Sequence, residues 1–93
     1  MALANHALPY SFGVCRRFVD EIVRVSDDDL CRAMHYLFRD AKLVAEPAAA
    51  AATAAILGPL RERLKGKRIG LIICGSNIDA ARYAELLERG RRN

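Results

Sequence analysis

Tryptophan does not occur in this chain, and three tyrosines with three phenylalanines leave it poor in aromatic side chains. Cysteine is scarce as well. Cys15, Cys31 and Cys74 make an odd number with no Cys-x-x-Cys spacing, which argues against a disulfide framework and against a zinc cluster and suits a reducing, cytosolic compartment. Long apolar runs are missing too: the longest weakly polar stretch, from Pro47 to Leu60, is too short and too rich in alanine to span a bilayer. The opening "MALANHALPYSF" lacks a cationic segment ahead of an apolar core, so it does not read as a signal peptide. The expectation is a soluble protein without a membrane partner.

What is present fits one small unit over residues 1–93, near the lower size limit for a self-sufficient core. At 53% hydrophobic and 28% charged residues, the composition is globular. The net charge of +4 is unevenly placed. Up to Lys42 six basic residues meet six acidic ones, whereas from Glu46 onward nine face five, chiefly in "RERLKGKR" and "ERGRRN". Glu62, Glu85 and Glu88 interrupt that excess and no cluster of aromatics accompanies it, so solvated helix faces are favoured over a nucleic-acid site.

Along the chain, "PYSFGVCRRFV" reads as a short helix or turn and "DEIVRVS" as a brief strand, with Phe12, Phe18 and, further on, Phe38 expected in the core. Ser26, followed three residues later by Asp29, forms a capping box. Beyond it, Leu30, Ala33, Met34, Leu37, Phe38 and Ala41 recur at helical spacing, which predicts a helix from about Asp27 to Asp40. Cys15 and Cys31 are expected as small buried hydrophobes. His6, near the start, and His35, on the helix, read as solvated or packed histidines rather than bases.

Pro47 suits the first turn of a helix, and the alanines after it favour one that is pressed closely between neighbours. Gly58 and Pro59 interrupt it, and a solvated turn leads to Gly66. "RIGLIIC" then reads as a buried parallel strand. Asp79 can cap a last helix carrying Ala80, Tyr83, Leu86 and Leu87 on one stripe, with Gly90 at its end. The order helix, strand, loop, helix predicts an α/β fold: a partial parallel sheet with an Ala-rich packed helix. "CGSN" falls at the carboxyl end of the strand, where open sheets bind ligands. Gly75 lets a ligand approach the backbone, and Cys74 offers a thiol as the strand ends. The alternative is a small buried Cys and an Asn making a turn.

"AEPAAAAATAAILGPLRERLKGKRIGLIICGSNID" resembles the carboxyl-terminal part of the fold-type II, pyridoxal-phosphate-dependent serine/threonine dehydratases. Those enzymes share the Glu-Pro, the Ala-rich helix, the Gly-Lys turn, the apolar strand and the loop. "LPYSFGVCRRFVDEIVRVSDDDLCRAMHYLFRDAKL" is similar to the segment that precedes this block. The resemblance implies a C-terminal piece of the large catalytic domain, pyridoxal 5'-phosphate as cofactor, and deamination of L-threonine or L-serine to a 2-oxo acid and ammonia. It further implies that Cys74 faces the pyridine nitrogen, that Gly75, Ser76 and Asn77 shape the loop around the ring, and that Glu46 lies beside it. A neutral thiol does not hold that nitrogen protonated as a carboxylate would, which favours elimination of a β-hydroxyl over transamination. Ser76 stands where the family often has a second glycine. For Glu46 the competing role is a carboxylate at the positive end of the Ala-rich helix.

The family's Schiff-base lysine, Gly-rich phosphate loop and upstream cation site have no counterpart here. Lys42, Lys65 and Lys67 read as surface residues. By this resemblance the chain is a last portion of a dehydratase, inactive alone, with no regulatory domain after it. A catabolic or racemase-like relative is then the nearer comparison. Exposure of the Ala-rich helix and of "GLIICG" should follow, with oligomerisation or association with a missing catalytic segment. Two other readings remain: a small basic α/β binding module, and an assembly partner that completes a separate catalytic chain.

Overall fold

A computed structural model of the chain describes residues 8–93; His6 and the rest of the opening heptad lie outside the described residues. Helix α1, Leu8–Phe18, realises the short helix read from the sequence. Helix α2, Asp27–Tyr36, begins at the capping box: Asp29 N–H donates to Ser26 Oγ and Ser26 N–H to the Asp29 carboxylate, each at 3.1 Å. Those two bonds satisfy backbone donors that a helix start otherwise leaves open. Three aspartates in the first turn also meet the positive end of the helix dipole.

α2 widens into a π turn, Leu37–Ala41, and stops at Lys42, a non-glycine residue in the left-handed region at φ 58°. Lys42 offsets that strain by capping. Its backbone N–H donates to the Leu37 carbonyl, and its amine donates to the Arg39 carbonyl at 2.9 Å. The Ala-rich segment forms a 3-10 turn, Ala48–Ala50, followed by helix α3, Ala51–Leu57, which ends at Gly58 as expected. Helix α4, Ala80–Arg92, is capped by Asp79, whose side chain accepts from Arg82 N–H at 2.8 Å.

The core lies where α2, α3 and α4 meet. Met34 is its largest fully enclosed side chain, and Leu37, Ala50, Ala54 and Leu86 are buried with it. Alanine there permits close helix approach, and the approach is closest at Gly90: a Cβ at that position would strike the Cys31 carbonyl. Gly90 is therefore an interior helix residue chosen for clearance. Gly90 was expected at the helix's end; α4 runs two residues further, to Arg92.

Other expectations are corrected as well. The described residues contain no strand, so the partial sheet is not present among them. No backbone hydrogen bond joins residues 68–74, or the "EIVRV" run, to any other described residue, and without a ladder partner neither run can be a strand. Phe12 and Phe18 are 62% and 69% exposed: among the described residues neither belongs to the core cluster, and Phe18 meets the Arg17 guanidinium 5.1 Å from its ring centre. Phe38 is 44% exposed and meets only one aromatic, the Tyr83 ring, edge to face at 6.0 Å. Cys15 is exposed on α1, whereas Cys31 is buried as expected. The Ala-rich helix is largely covered by α2, so of the two faces expected to be bare only the "GLIIC" run is. No helix among the described residues is long and apolar enough to cross a membrane.

Removing the cap with Ser26→Ala should cost about 1 kcal/mol in urea unfolding. Asp29 is held below the usual carboxylate range, first by the Ser26 backbone N–H and then by its hydroxyl. A depressed carboxyl stabilises the fold above its unfolded pKa and loses that contribution as pH falls through its folded pKa. The stability gap between wild type and Asp29→Asn should therefore be full at neutral pH and close in acid; a gap that widens in acid contradicts the capping geometry. Thr53 Oγ1 is buried with no partner among the described residues. Thr53→Ala should leave stability within about 1 kcal/mol of wild type or raise it, whereas Met34→Ala should lose about 2–5 kcal/mol. With a thiol reagent, Cys15 and Cys74 should react in the native chain and Cys31 only after unfolding.

Candidate functional site

Ile73 and Ile78 pack against the core and bracket the loop between them, so Cys74, Gly75, Ser76 and Asn77 are carried at the surface between two anchors. A tight turn closes inside the loop, with Ile78 N–H donating to the Ser76 carbonyl at 2.9 Å. Asp79 begins α4 one residue later, which fixes where the loop must end.

Glu46 reaches the loop from the other side of the core. Ala45, completely buried, anchors the chain just before it, and Glu46 N–H donates to the Gly75 carbonyl at 3.1 Å. The Glu46 carboxylate occupies the space beside the Gly75 Cα: a Cβ added to residue 75 would fall on Oε1. Glycine at 75 thus leaves the room that the Glu46 carboxylate takes up, with no unusual φ involved. The residue that joins the two segments also starts the Ala-rich turn, since Ala50 N–H donates to the Glu46 carbonyl at 3.1 Å.

The sequence-predicted residues Glu46 and Gly75 are thereby in contact, and Cys74, Ser76 and Asn77 flank that contact with their side chains exposed. The thiol of Cys74 is not sealed in the interior. The cavities of about 800, 420 and 170 Å³ are lined by other residues. The first is lined by Arg32, His35, Tyr36, Arg61, Lys65 and Ile69, away from the loop residues. His35, half-buried, faces that groove.

Lys42, Lys65 and Lys67 are exposed, and the Lys42 amine is engaged at the end of α2. Burial pushes the Cys31 thiol up, so it stays protonated and takes no part in surface chemistry. Sequence reasoning missed the backbone bond between Glu46 and Gly75 and the carboxylate filling the glycine's side. No local pattern announces a contact between residues 29 positions apart. The glycine itself was the available signal.

Comparison with known proteins places this geometry in a family. The profile of the pyridoxal-phosphate dependent enzymes matches residues 1–75. A phenylserine dehydratase of Ralstonia pickettii is 51% identical over 95% of this chain and 27% of its own length. An L-threo-3-hydroxyaspartate ammonia-lyase of Saccharomyces cerevisiae is 41% identical over 92% of the chain and 26% of its own. A serine racemase of Schizosaccharomyces pombe is 38% identical over 95% and 27%. More distant matches include L-threonine ammonia-lyases and dehydratases. The chain spans about a quarter of the length of these curated relatives. With a profile that matches well over half of it and similarity that reaches into the loop, the chain belongs to the pyridoxal-phosphate dependent enzymes, a family whose cofactor is pyridoxal phosphate.

Proposed function

We propose that the chain is the C-terminal part of a pyridoxal-phosphate-dependent lyase that deaminates a β-hydroxy amino acid, L-threonine or L-serine in the simplest case, to a 2-oxo acid and ammonia. The observation that carries this reading is the loop at residues 74–77: an exposed thiol and a glycine whose backbone is held against Glu46. The names of the relatives support the substrate class, since phenylserine, threo-3-hydroxyaspartate, threonine and serine all carry a hydroxyl beside the amino-bearing carbon.

The residues present fit one rim of the cofactor and not the whole of it. Cys74 suits the pyridine nitrogen, because a thiol is a neutral partner and Sγ stands free at the surface. Gly75, lacking a side chain, lets the loop backbone lie close to a flat ring. Ser76 and Asn77 supply a hydroxyl and an amide at its edge, and Glu46 sets a carboxylate at the same place. What does not fit is the lysines: all three are exposed, and Lys42 is committed to a helix end. The lysine that holds the cofactor is therefore assigned to another polypeptide segment, and the chain alone has no lyase activity.

When bound, the cofactor supplies an electron sink for the substrate's α-carbon. The part of this chain is to keep that sink weak. Cys74 would stand beside the ring nitrogen as a neutral partner that does not hold it protonated, which favours loss of the β-hydroxyl over transamination. Glu46 and the loop backbone would orient the ring from one side. The net change loses no atoms: the β-hydroxy amino acid becomes 2-oxo acid plus ammonia, with the water expelled in elimination regained in hydrolysis.

The test is a single-chain chimaera in which these 93 residues replace the matching quarter of the Ralstonia phenylserine dehydratase. It should form 2-oxo acid from β-hydroxy amino acids. Cys74→Asp should slow that reaction by at least about tenfold, ~1.4 kcal/mol in the barrier, and raise the share of transamination. A chimaera that binds cofactor yet never forms 2-oxo acid, or one in which Cys74→Asp changes nothing, refutes the reading. The isolated chain mixed with pyridoxal phosphate and borohydride should acquire no stoichiometric label on Lys42, Lys65 or Lys67; a full label on one of them overturns the assignment of the lysine elsewhere.

A further inference from the structure

From the groove beside α2 we infer a second binding site, apart from the loop at 74–77, that takes an organic monocarboxylate with an apolar body. The site would stand whether or not the lyase reading does.

Segments far apart in sequence build this groove. Arg32, His35 and Tyr36 come from α2, Leu57 from the end of α3, Arg61 and Lys65 from the turn after it, and Arg91 from the last turn of α4. Its volume of about 800 Å³ is that of a small-molecule site. The basic residues of "RERLKGKR" and "ERGRRN" are solvated as expected, yet the fold brings three of them to one concave surface with two arginines of the first half, Arg32 and Arg39.

Charge selects the class of ligand. Three of the five cations are already engaged: Arg32 holds Asp29 at 2.9 Å, Arg39 holds Asp40 at 2.8 Å, and Arg91 pairs with Glu88. Arg32 also donates to the Asn93 carbonyl at 3.4 Å. Arg61 and Lys65 have no ion-pair partner among the described residues, and neither has Glu62, which lines the same groove. Two free cations and one free carboxylate leave a single positive charge in excess. A monoanion neutralises it, and the two oxygens of a carboxylate match the planar fork of the Arg61 guanidinium.

The lining selects the rest of the ligand. Ile56, Leu57 and Leu64 are half-buried in the groove and Ile69 is 39% exposed there, so aliphatic surface lies beside the free cations. The Tyr36 ring, with the Arg39 guanidinium 5.9 Å from its centre, adds an aromatic wall. A small hydrophilic anion leaves that surface wet, whereas a carboxylate on a hydrocarbon or aryl body covers it. Nucleic acid fits less well, because most of the groove's arginines are neutralised already and Tyr36 is its one aromatic side chain.

An amide NMR titration of the 93-residue chain with 3-phenylpropanoate at about pH 8 tests the site. Shifts should be confined to α2, residues 56–65 and the end of α4, with 74–77 silent, and Kd should be on the order of 1 mM or tighter. Acetate should bind at least about tenfold more weakly, for want of a body to bury. Arg61→Ala and Lys65→Ala, both at exposed positions and both with a wild-type urea midpoint, should each weaken 3-phenylpropanoate by about tenfold. Arg63→Ala removes the same charge outside the groove, where Arg63 pairs with Glu21, and should weaken it by less than about threefold. The folded chimaera should retain the binding. Acetate binding as tightly, inorganic phosphate or a short oligonucleotide binding more tightly, or Arg63→Ala matching Arg61→Ala overturns the inference. Shifts centred on 74–77 overturn it too, as does a folded chimaera that no longer binds, since the rest of the domain then fills the groove. Binding that persists in a chimaera forming no 2-oxo acid leaves this site standing while the lyase reading falls.

Discussion

One backbone hydrogen bond, from Glu46 N–H to the Gly75 carbonyl, joins the two halves of the chain at the place where its chemistry is concentrated. On one side of it the Ala-rich turn begins and carries Glu46 from a completely buried Ala45. On the other the loop passes outward between Ile73 and Ile78. A side chain at residue 75 would displace the Glu46 carboxylate, so the bond, the glycine and the acid are one arrangement. Cys74 is the residue just before that glycine, and it stands exposed at the surface.

The helical core exists to hold that junction still. Alanines at 50 and 54 bring α3 close to α2, and Gly90 lets α4 approach the Cys31 carbonyl, so a core with only one large enclosed side chain, Met34, can still exclude water. Exposed ion pairs such as Arg63 with Glu21 at 2.6 Å add little by comparison. By contrast α1 and residues 68–72 present large apolar side chains to solvent. The stable part and the bare part divide cleanly: one supports the loop, and the other leaves its large apolar side chains exposed.

Much of the helical part was legible from local chemistry. The Ser26/Asp29 capping box, the Asp79 cap and the stop at Gly58 each rest on residues within a few positions of one another, and each appears as read. The sheet was not recoverable in the same way. "RIGLIIC" carries a strand's composition, but a strand needs a neighbour to pair with, and none is found among the described residues. Phe12 and Phe18 failed as core residues for the same reason: hydrophobicity says a side chain seeks a partner and not that this chain provides one. Gly90 was read as a helix stop because helix ends favour glycine, while its real constraint, clearance for Cys31, is tertiary. At the site, the individual residues were proposed from family resemblance, and the contact between Glu46 and Gly75 emerged only from the fold.

The central claim is that Cys74 is the neutral neighbour of the cofactor's ring nitrogen. Nitrogen-15 NMR of labelled pyridoxal phosphate bound to the chimaera measures that directly. The account predicts the shift of an unprotonated pyridine nitrogen with Cys74 in place, and a move to the protonated shift in Cys74→Asp. A nitrogen already protonated with Cys74 present, or one whose signal ignores the substitution, would contradict it.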